Sequence, residues 1–184
     1  MTPPATRRPA TLPTVQLRRM GEDEWEAWAR ASRERYAEQM ATMGGMTPED
    51  AAAKATVDFL RLLPKGSATR QQHFLVAEED GEDVGMLWLG ERPTSEDGPV
   101  LWVLEVSVRE ELRGRGHGRE LMRLAEEEAR RLGYDAVALN VFSGNSAAIA
   151  LYDGLGYAVT RTYPGAQNML KRLPSPARPP SRSP

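Results

Sequence analysis

The most informative chemistry in this sequence lies in a glycine-rich turn within residues 106–119. An apolar strand carrying Val106 and Val108 ends there, and the turn leads directly into a helical pattern. The first backbone N–H groups of a helix lack intrahelical partners and lie at the positive end of its dipole. Three glycines permit close approach and three arginines add positive charge: Gly114, Gly116 and Gly118, with Arg113, Arg115 and Arg119. The turn is therefore expected to bind a phosphate or pyrophosphate group.

Two common phosphate motifs do not match this turn. The P-loop requires a lysine and then a serine or threonine after its glycines, and neither follows here. The dinucleotide fingerprint requires a different glycine spacing, because the glycines of this turn occupy every second position. For the turn alone, an ordinary strand-to-helix connection and a short arginine–glycine nucleic-acid patch remain alternatives.

A second motif at residues 139–157 resolves the choice. It contains a strand, an asparagine before a short helix, and a Gly-Tyr pair, with key positions at Asn145, Ala148, Leu151, Tyr152, Gly156 and Tyr157. Together with Arg113-x-x-Gly116-x-Gly118, this arrangement resembles the cofactor motifs of the GNAT N-acetyltransferase superfamily. The resemblance extends over about residues 84–163 and leaves the amino-terminal third unmatched.

The resemblance implies that acetyl-CoA is the co-substrate. Because the chain has no cysteine and only two histidines, no metal site is expected. The resemblance places the backbone of Val106 and Val108 against the pantetheine arm. It assigns the pyrophosphate to backbone N–H groups of the turn, at Gly114, Gly116, Gly118 and Arg119, with Arg113 shaping the turn or pairing with phosphate. Asn145 is expected both to cap its helix and to contact the cofactor, and His117 to face solvent.

Two further residues are candidates for proton transfer. The resemblance makes Tyr152 the general acid that protonates the departing CoA thiolate, and a core aromatic is the alternative. Glu105 interrupts an apolar strand, where a carboxylate is expected to face a cleft or to be paired. It is the candidate base for the amine, and a structural glutamate bonded to a neighbouring strand or to Arg109 is the alternative. Strand alternation predicts that Glu105 points to the same side as Val103 and Ser107.

The spacing of apolar residues and the residues that begin or end helices and turns predict the elements that position these groups. Thr47, Pro48 and Asp50 open one helix, and Gly133 is expected to end another. The expected strands are 14–20, 73–79, 84–90, 100–108, 136–142, 157–163 and 167–173, and the expected helices are 22–42, 48–63, 116–132 and 145–154. This order matches the α/β fold of GNAT proteins: a mixed, mostly antiparallel sheet with helices on both faces and strands 4 and 5 splayed around the cofactor.

Composition defines the broad class of protein. The chain has 184 residues with a net charge of −2, which favours one domain and argues against bulk attraction to nucleic acid or anionic membranes. It has no cysteine, which excludes an acetyl-cysteine intermediate. We expect a single domain at 14–173, between disordered Pro-rich tails at 1–13 and 174–184. With no apolar run or signal segment, we expect a cytoplasmic protein.

The predicted function is transfer of an acetyl group from acetyl-CoA to a primary amine, directly within a ternary complex. A small-molecule acceptor is favoured, and homodimer formation stays open. The alternatives are a non-catalytic acyl-CoA sensor and a protein N-acetyltransferase. Trp25 and Trp28 are expected in the core rather than in a cage for the acceptor. Acidic residues at 22–24, 78–83 and 96–97 would favour a cationic acceptor if they line the cleft.

Overall fold

A computed structural model describes residues 14–92 and 100–174 of the chain. These residues form seven strands and four helices, close to the predicted bounds. In chain order they are β1 (Gln16–Arg19), α1 (Glu22–Thr42), α2 (Pro48–Leu62), β2 (Gln72–Glu79), β3 (Glu82–Gly90), β4 (Leu101–Val108), α3 (His117–Leu132), β5 (Ala136–Phe142), α4 (Ser146–Asp153), β6 (Ala158–Tyr163) and β7 (Ala166–Arg172). Apart from Pro174, the two predicted tails lie outside the described residues.

The strands form one sheet in the order β1-β2-β3-β4-β5-β7-β6, in which only the β4–β5 pair is parallel. Alternating residues of β3 show how the layers pack. Leu87 and Leu89 lie on the face covered by α3 and α4, whereas Met86 and Trp88 lie on the face covered by α1 and α2. The predicted fold class, a mixed and mostly antiparallel sheet with helices on both faces, is confirmed.

Local sequence signals explain where the helices begin and end. The side chain of Thr47 accepts a hydrogen bond from the backbone N–H of Asp50 at 3.2 Å, which caps α2 as the Thr-Pro-x-Asp pattern predicts. Glu24 accepts a hydrogen bond from the N–H of Gly21 at 2.7 Å and so closes the first turn of α1. Gly133 ends α3 with φ +90°, a left-handed conformation that favours glycine.

Strands β4 and β5 diverge, and this divergence opens the centre of the sheet. The two strands pair only from Leu101 to Val103, against Val137 to Leu139. Beyond that point residues 105–108 of β4 keep their pairing with β3 but lose β5 as a neighbour. The predicted splay of strands 4 and 5 is therefore present, and it leaves one backbone edge of β4 open.

Candidate active site

A cleft of about 490 Å³ occupies the gap between β4 and β5 and extends beneath α1 and α2. A volume of this size falls within the usual range of small-molecule sites. Six of the ten predicted site residues line it: Glu105, Val106, Val108, Arg113, Asn145 and Tyr152. The other four, Gly114, Gly116, Gly118 and Arg119, belong to the turn and the first turn of α3 that follow Arg113.

The backbone edge of β4 at Val106 and Val108 faces the cleft. Their side chains pack against the α3 side of the core, and their positions in the sheet pair with Leu87 and Gly85 of β3. Because β5 has already diverged, the other edge of this stretch has no strand beside it. Such an edge offers N–H and C=O groups to an extended ligand, as an added strand would use them.

The glycine turn adopts a conformation that its sequence requires. Gly114 has φ +75° and Gly116 has φ +98°, so two of its glycines occupy the left-handed region. Gly116 is the N-cap of α3, and the first backbone N–H groups of that helix have no partners within it. This end of α3 therefore presents a positive dipole and free donors, which is the arrangement expected for a pyrophosphate site.

The two predicted arginines of the turn also support its shape. The Nε of Arg113 donates to the carbonyl oxygen of Val108 at 3.3 Å, which joins the turn to the end of β4. The Nη1 of Arg119 donates to the carbonyl oxygen of Gly154 at 3.3 Å, which joins α3 to the end of α4. Arg113 thus shapes the turn, as one of the two predicted roles requires. It also lines the cleft, where its guanidinium could contact a phosphate.

His117 differs from its predicted position. It is only 4% exposed, and its Nε2 lies 3.0 Å from a carboxylate oxygen of Glu79 at the end of β2. The reason is helical spacing: His117, Leu121 and Ala125 lie four residues apart and share the buried face of α3. The expectation that His117 faces solvent is wrong, and the apolar stripe of α3 already contained the signal.

Tyr152 is buried on α4 and lines the cleft, with 7% of its surface exposed. Burial raises the pKa of its phenol to about 12, because a charged phenolate would lose its hydration. At neutral pH Tyr152 therefore carries its proton and can serve as a donor. Its ring centroid lies 6.0 Å from that of Tyr157, so the alternative role as a core aromatic is also fulfilled.

Asn145 forms the N-cap of α4. Its side-chain oxygen accepts a hydrogen bond from the backbone N–H of Ala148 at 3.2 Å. The predicted capping role is confirmed, and the residue also lines the cleft. Asn145 and Tyr152 lie seven residues apart on the same helix face, which brings both to the opening between β4 and β5.

Glu105 shares a face of the sheet with Ser107 and lies opposite Val106, as alternation predicts, but it does not share a face with Val103. Trp88 pairs with Glu105, but its neighbour Leu89 pairs with Val103, so Leu104 is an extra residue in β4. Such a bulge shifts the alternation by one residue. Glu105 consequently faces α1, on the side of Leu104, whereas Val103 packs on the other side.

Residues of α1, rather than Arg109, hold Glu105. The hydroxyl of Ser32 donates to one carboxylate oxygen, and the Nη2 of Arg35 donates to the other at 2.6 Å. The Glu105 side chain keeps 17% of its surface exposed, on the cleft side of this pair. Glu105 is therefore both paired and beside the cleft, as the sequence predicted in general terms. Its predicted partner, Arg109, is wrong.

Charged residues that sequence reasoning missed define the other end of the cleft. The described lining residues include two carboxylates, Asp58 and Glu105, but several bases, namely Arg35, Lys54, Arg61, Arg92 and Arg113. The acidic residues expected there lie elsewhere: none of 22–24 or 78–83 lines the cleft, and 96–97 lies outside the described residues. Apart from Arg113, which was predicted, these bases were not identified from the sequence, because only the packing of α1, α2 and the segment after β3 brings them into one cleft.

The tryptophans of α1 belong to the core, as predicted. Trp28 is 8% exposed, and its ring lies 5.4 Å from that of Trp88 and 5.0 Å from that of Phe74. Trp25 packs against the same cluster. These aromatic contacts anchor α1 to the sheet, and α1 in turn carries Ser32 and Arg35 to Glu105.

Residues 14–92 and 100–174 contain neither a cluster of side chains that could hold a metal ion nor a helix that could span a membrane. No three His, Asp or Glu side chains in those ranges group into a set that could hold a metal ion. Their helices are all too short or too polar to cross a bilayer. The expectation of a metal-free reaction stays a prediction.

Comparison with known proteins connects this geometry to a family. The model of the acetyltransferase (GNAT) family matches residues 21–157. Among curated proteins, the uncharacterized N-acetyltransferase YdgE of Bacillus subtilis is 31% identical over 145 residues, which cover 78% of this chain and 92% of YdgE. The match to the family model includes the glycine turn, the splayed strands and both amino-terminal helices.

Two solved structures share the architecture. That of the acetyltransferase YycN from Bacillus subtilis has a TM-score of 0.75 and 27% identity, and the match covers 82% of this chain and 96% of that one. That of the PaiA N-acetyltransferase from Thermoplasma acidophilum, in complex with coenzyme A, has a TM-score of 0.63 and 19% identity over 87% of this chain and 99% of that one. The second similarity establishes the fold alone.

Proposed function

This chain belongs to the GNAT acetyltransferase family, whose members use acetyl-CoA, and we propose that it acetylates the primary amine of a small molecule by direct transfer. The observation that carries the proposal is the cleft between β4 and β5. It contains an open backbone edge, a buried phenol and a carboxylate within one volume of about 490 Å³. A small acceptor fits because α1 and α2 cover this cleft, whereas a protein substrate requires an open groove.

The residues around the cleft suit acetyl-CoA chemically. The open edge at Val106 and Val108 supplies hydrogen-bonding groups for the pantetheine arm, and Asn145 lines the same cleft. The glycine turn and the start of α3 supply donors for the pyrophosphate, through the N–H groups of Gly114, Gly116, Gly118 and Arg119. Arg113 adds charge at the junction of the two. The bound thioester supplies the activated acetyl group.

In the proposed reaction, Glu105 takes a proton from the substrate ammonium and so creates the nucleophilic amine. The amine nitrogen forms a bond to the acetyl carbon, and the carbon–sulfur bond breaks. Tyr152 donates its proton to the departing thiolate. Of the three ammonium protons, one stays on the amide, one restores Tyr152, and one leaves through Glu105 to solvent. The chain has no cysteine, so no acyl-cysteine intermediate is available.

Free-thiol release from acetyl-CoA across a panel of amines tests this function, with a reaction lacking acceptor as the control. We expect release that depends on the amine, and an N-acetyl product of the matching mass. Binding of CoA by calorimetry with no thiol release for any amine would contradict the proposal. Transfer to peptides but to no small amine would identify a protein acetyltransferase instead.

Glu105→Gln tests the base. We expect kcat/KM to fall about 10- to 100-fold at neutral pH, where only about one amine in a few thousand is the free base. The deficit should shrink toward pH 10, at about the amine pKa, because the substrate then arrives deprotonated. Measuring kcat/KM against pH for both proteins checks this expectation.

Arg35→Gln is the matched control, because it removes the ion pair to Glu105 but keeps the carboxylate. We expect a smaller loss that does not recover at alkaline pH. If both variants lose activity equally at every pH, the ion pair, and not proton transfer, explains the need for Glu105.

A further inference from the structure

The end of the cleft remote from the glycine turn is rich in positive charge. Of the described residues that line this end, Arg35, Lys54, Arg61 and Arg92 are basic, and Asp58 and Glu105 are acidic. The bases come from α1, α2 and the segment after β3, so three separate elements direct them to one volume. A site for a purely cationic amine would show the opposite balance.

Both carboxylates at this end already have donors from the protein. Glu105 receives hydrogen bonds from Ser32 and Arg35. Asp58 accepts from the Nζ of Lys54 at 2.7 Å and from the hydroxyl of Tyr36 at 3.1 Å. Arg35 and Lys54 thus pair with the two acids, and among the described residues Arg92 has no carboxylate partner.

Arg92 is held where it can bind a ligand. Its guanidinium lies over the ring of Trp102, 4.5 Å from the ring centroid, and both residues line the cleft. Stacking on an aromatic face fixes the plane of a guanidinium and leaves its N–H groups at the edge for a carboxylate or phosphate. The positive charge of Arg92 also opposes the rise in the pKa of Tyr36, so it acts within the cleft.

Arg92 lies far from the expected pyrophosphate site, at the opposite end of β4. Trp102 lies at the start of the strand and Val108 at its end, so roughly 20 Å of extended chain lies between them. The glycine turn follows Val108. Arg92 is therefore not needed to bind the cofactor phosphates, and its charge is available to the acceptor.

We propose that the acceptor is an amine that also carries an anionic group, a carboxylate or a phosphate, and that Arg92 binds this group. The inference rests on the proposed function and narrows its substrate class. Arg92 acts as a specificity residue: it orients the anionic end so that the amine approaches Glu105, three residues farther along β4 from Trp102. A carboxylate and a phosphate can both accept hydrogen bonds from the planar guanidinium of Arg92, which is stacked on Trp102.

A matched amine series tests the substrate class. It compares 4-aminobutyrate and 4-aminobutyl phosphate with butylamine and 1,4-diaminobutane, which differ at one end only. We expect kcat/KM at least tenfold higher for one or both anionic amines, and the two anionic arms distinguish carboxylate from phosphate. Equal or better transfer to butylamine or diaminobutane would overturn the inference and leave the acetyltransferase function intact. If none of these four amines and no amine of the wider panel is acetylated, the result would instead contradict the function on which the inference rests.

Substitution at Arg92 tests the residue. Arg92→Gln should raise the KM for the anionic amine about tenfold or more and leave the KM for acetyl-CoA unchanged, whereas Arg92→Lys should restore part of the loss. Arg172→Gln, at an exposed arginine outside the cleft, is the control for loss of one positive charge. An unchanged KM for the anionic amine in Arg92→Gln would refute the assignment. A rise in the KM for acetyl-CoA would assign Arg92 to the cofactor instead.

Discussion

Replacing Tyr152 by Phe is expected to lower kcat about 100-fold or more and to leave the affinity for acetyl-CoA nearly unchanged. The change removes the oxygen that would protonate the thiolate and keeps the ring that fills the core beside Tyr157. Because the lost interaction exists only while the carbon–sulfur bond breaks, the effect should appear in kcat. Steady-state kinetics together with calorimetric titration of CoA separate the two quantities.

Tyr157→Phe is the matched control for Tyr152→Phe. It makes the same chemical change in the neighbouring buried ring, 4% exposed, which does not line the cleft. We expect this variant to retain most of the activity. If both variants lose kcat to the same extent, the tyrosines contribute to packing and not to proton transfer. If neither loses it, another group or water protonates the thiolate.

The pH profile gives an independent check on Tyr152. Burial raises the pKa of its phenol to about 12, so the residue keeps its proton well above neutral pH. A general acid is active in its protonated form, and its activity is lost as the pH rises through its pKa. The profile of kcat should therefore show no decline from this group up to pH about 10, where an exposed tyrosine would begin to lose its proton. A decline near pH 8 would indicate a different acid.

Most of the fold followed from local signals in the sequence. The bounds of α2 depend on Thr47 and Asp50, whose hydrogen bond caps the helix, and the end of α3 depends on Gly133. Such signals act over a few residues, so a single sequence reveals them. The glycine turn is of the same kind, because its positive φ angles at Gly114 and Gly116 require glycine wherever the turn occurs.

The orientation of Glu105 could not be predicted in the same way. Leu104 and Glu105 belong to a continuous apolar strand, and nothing in that stretch marks an extra residue. The bulge results from pairing with β3, a partner many residues distant in the chain. Because one extra residue shifts the alternation, a correct strand assignment still placed Val103 and Glu105 wrongly on the same face.

The positive charge at the end of the cleft remote from the glycine turn depends on contacts between distant segments of the chain. Arg92 follows β3 and Lys54 belongs to α2, and each looks like an ordinary exposed base in its own segment. Lys54 meets Asp58 within α2, but only the packing of the helices on the sheet brings this pair into one cleft with Arg92 and Glu105. His117 is a contrasting case: the buried stripe of α3 includes its position, so an analysis of helical periodicity could have identified it.

Replacing Gly118 by Asp is expected to weaken CoA binding about 100-fold or more without destabilising the protein. Gly118 is the second residue of α3, where an acidic side chain favours the helix dipole and where a Cβ would meet Leu151 only at 3.4 Å, an ordinary contact. A new negative charge about 5 Å from a phosphate oxygen costs about 3 kcal/mol at an effective dielectric constant of about 20. That cost corresponds to somewhat more than a 100-fold change in Kd.

Gly118→Asn is the control that isolates charge from shape, because its side chain has nearly the same size as Asp but is neutral. Calorimetric titration of CoA at low salt should give a much larger loss of affinity for Asp than for Asn, whose neutral side chain removes only the close approach that glycine permits, while thermal unfolding shows both variants folded. Added salt should partly restore binding to the Asp variant, since the repulsion is electrostatic. Equal binding by the two variants would mean that the pyrophosphate does not lie at the start of α3. In that case, the free N–H groups of this helix would have no part in holding the cofactor.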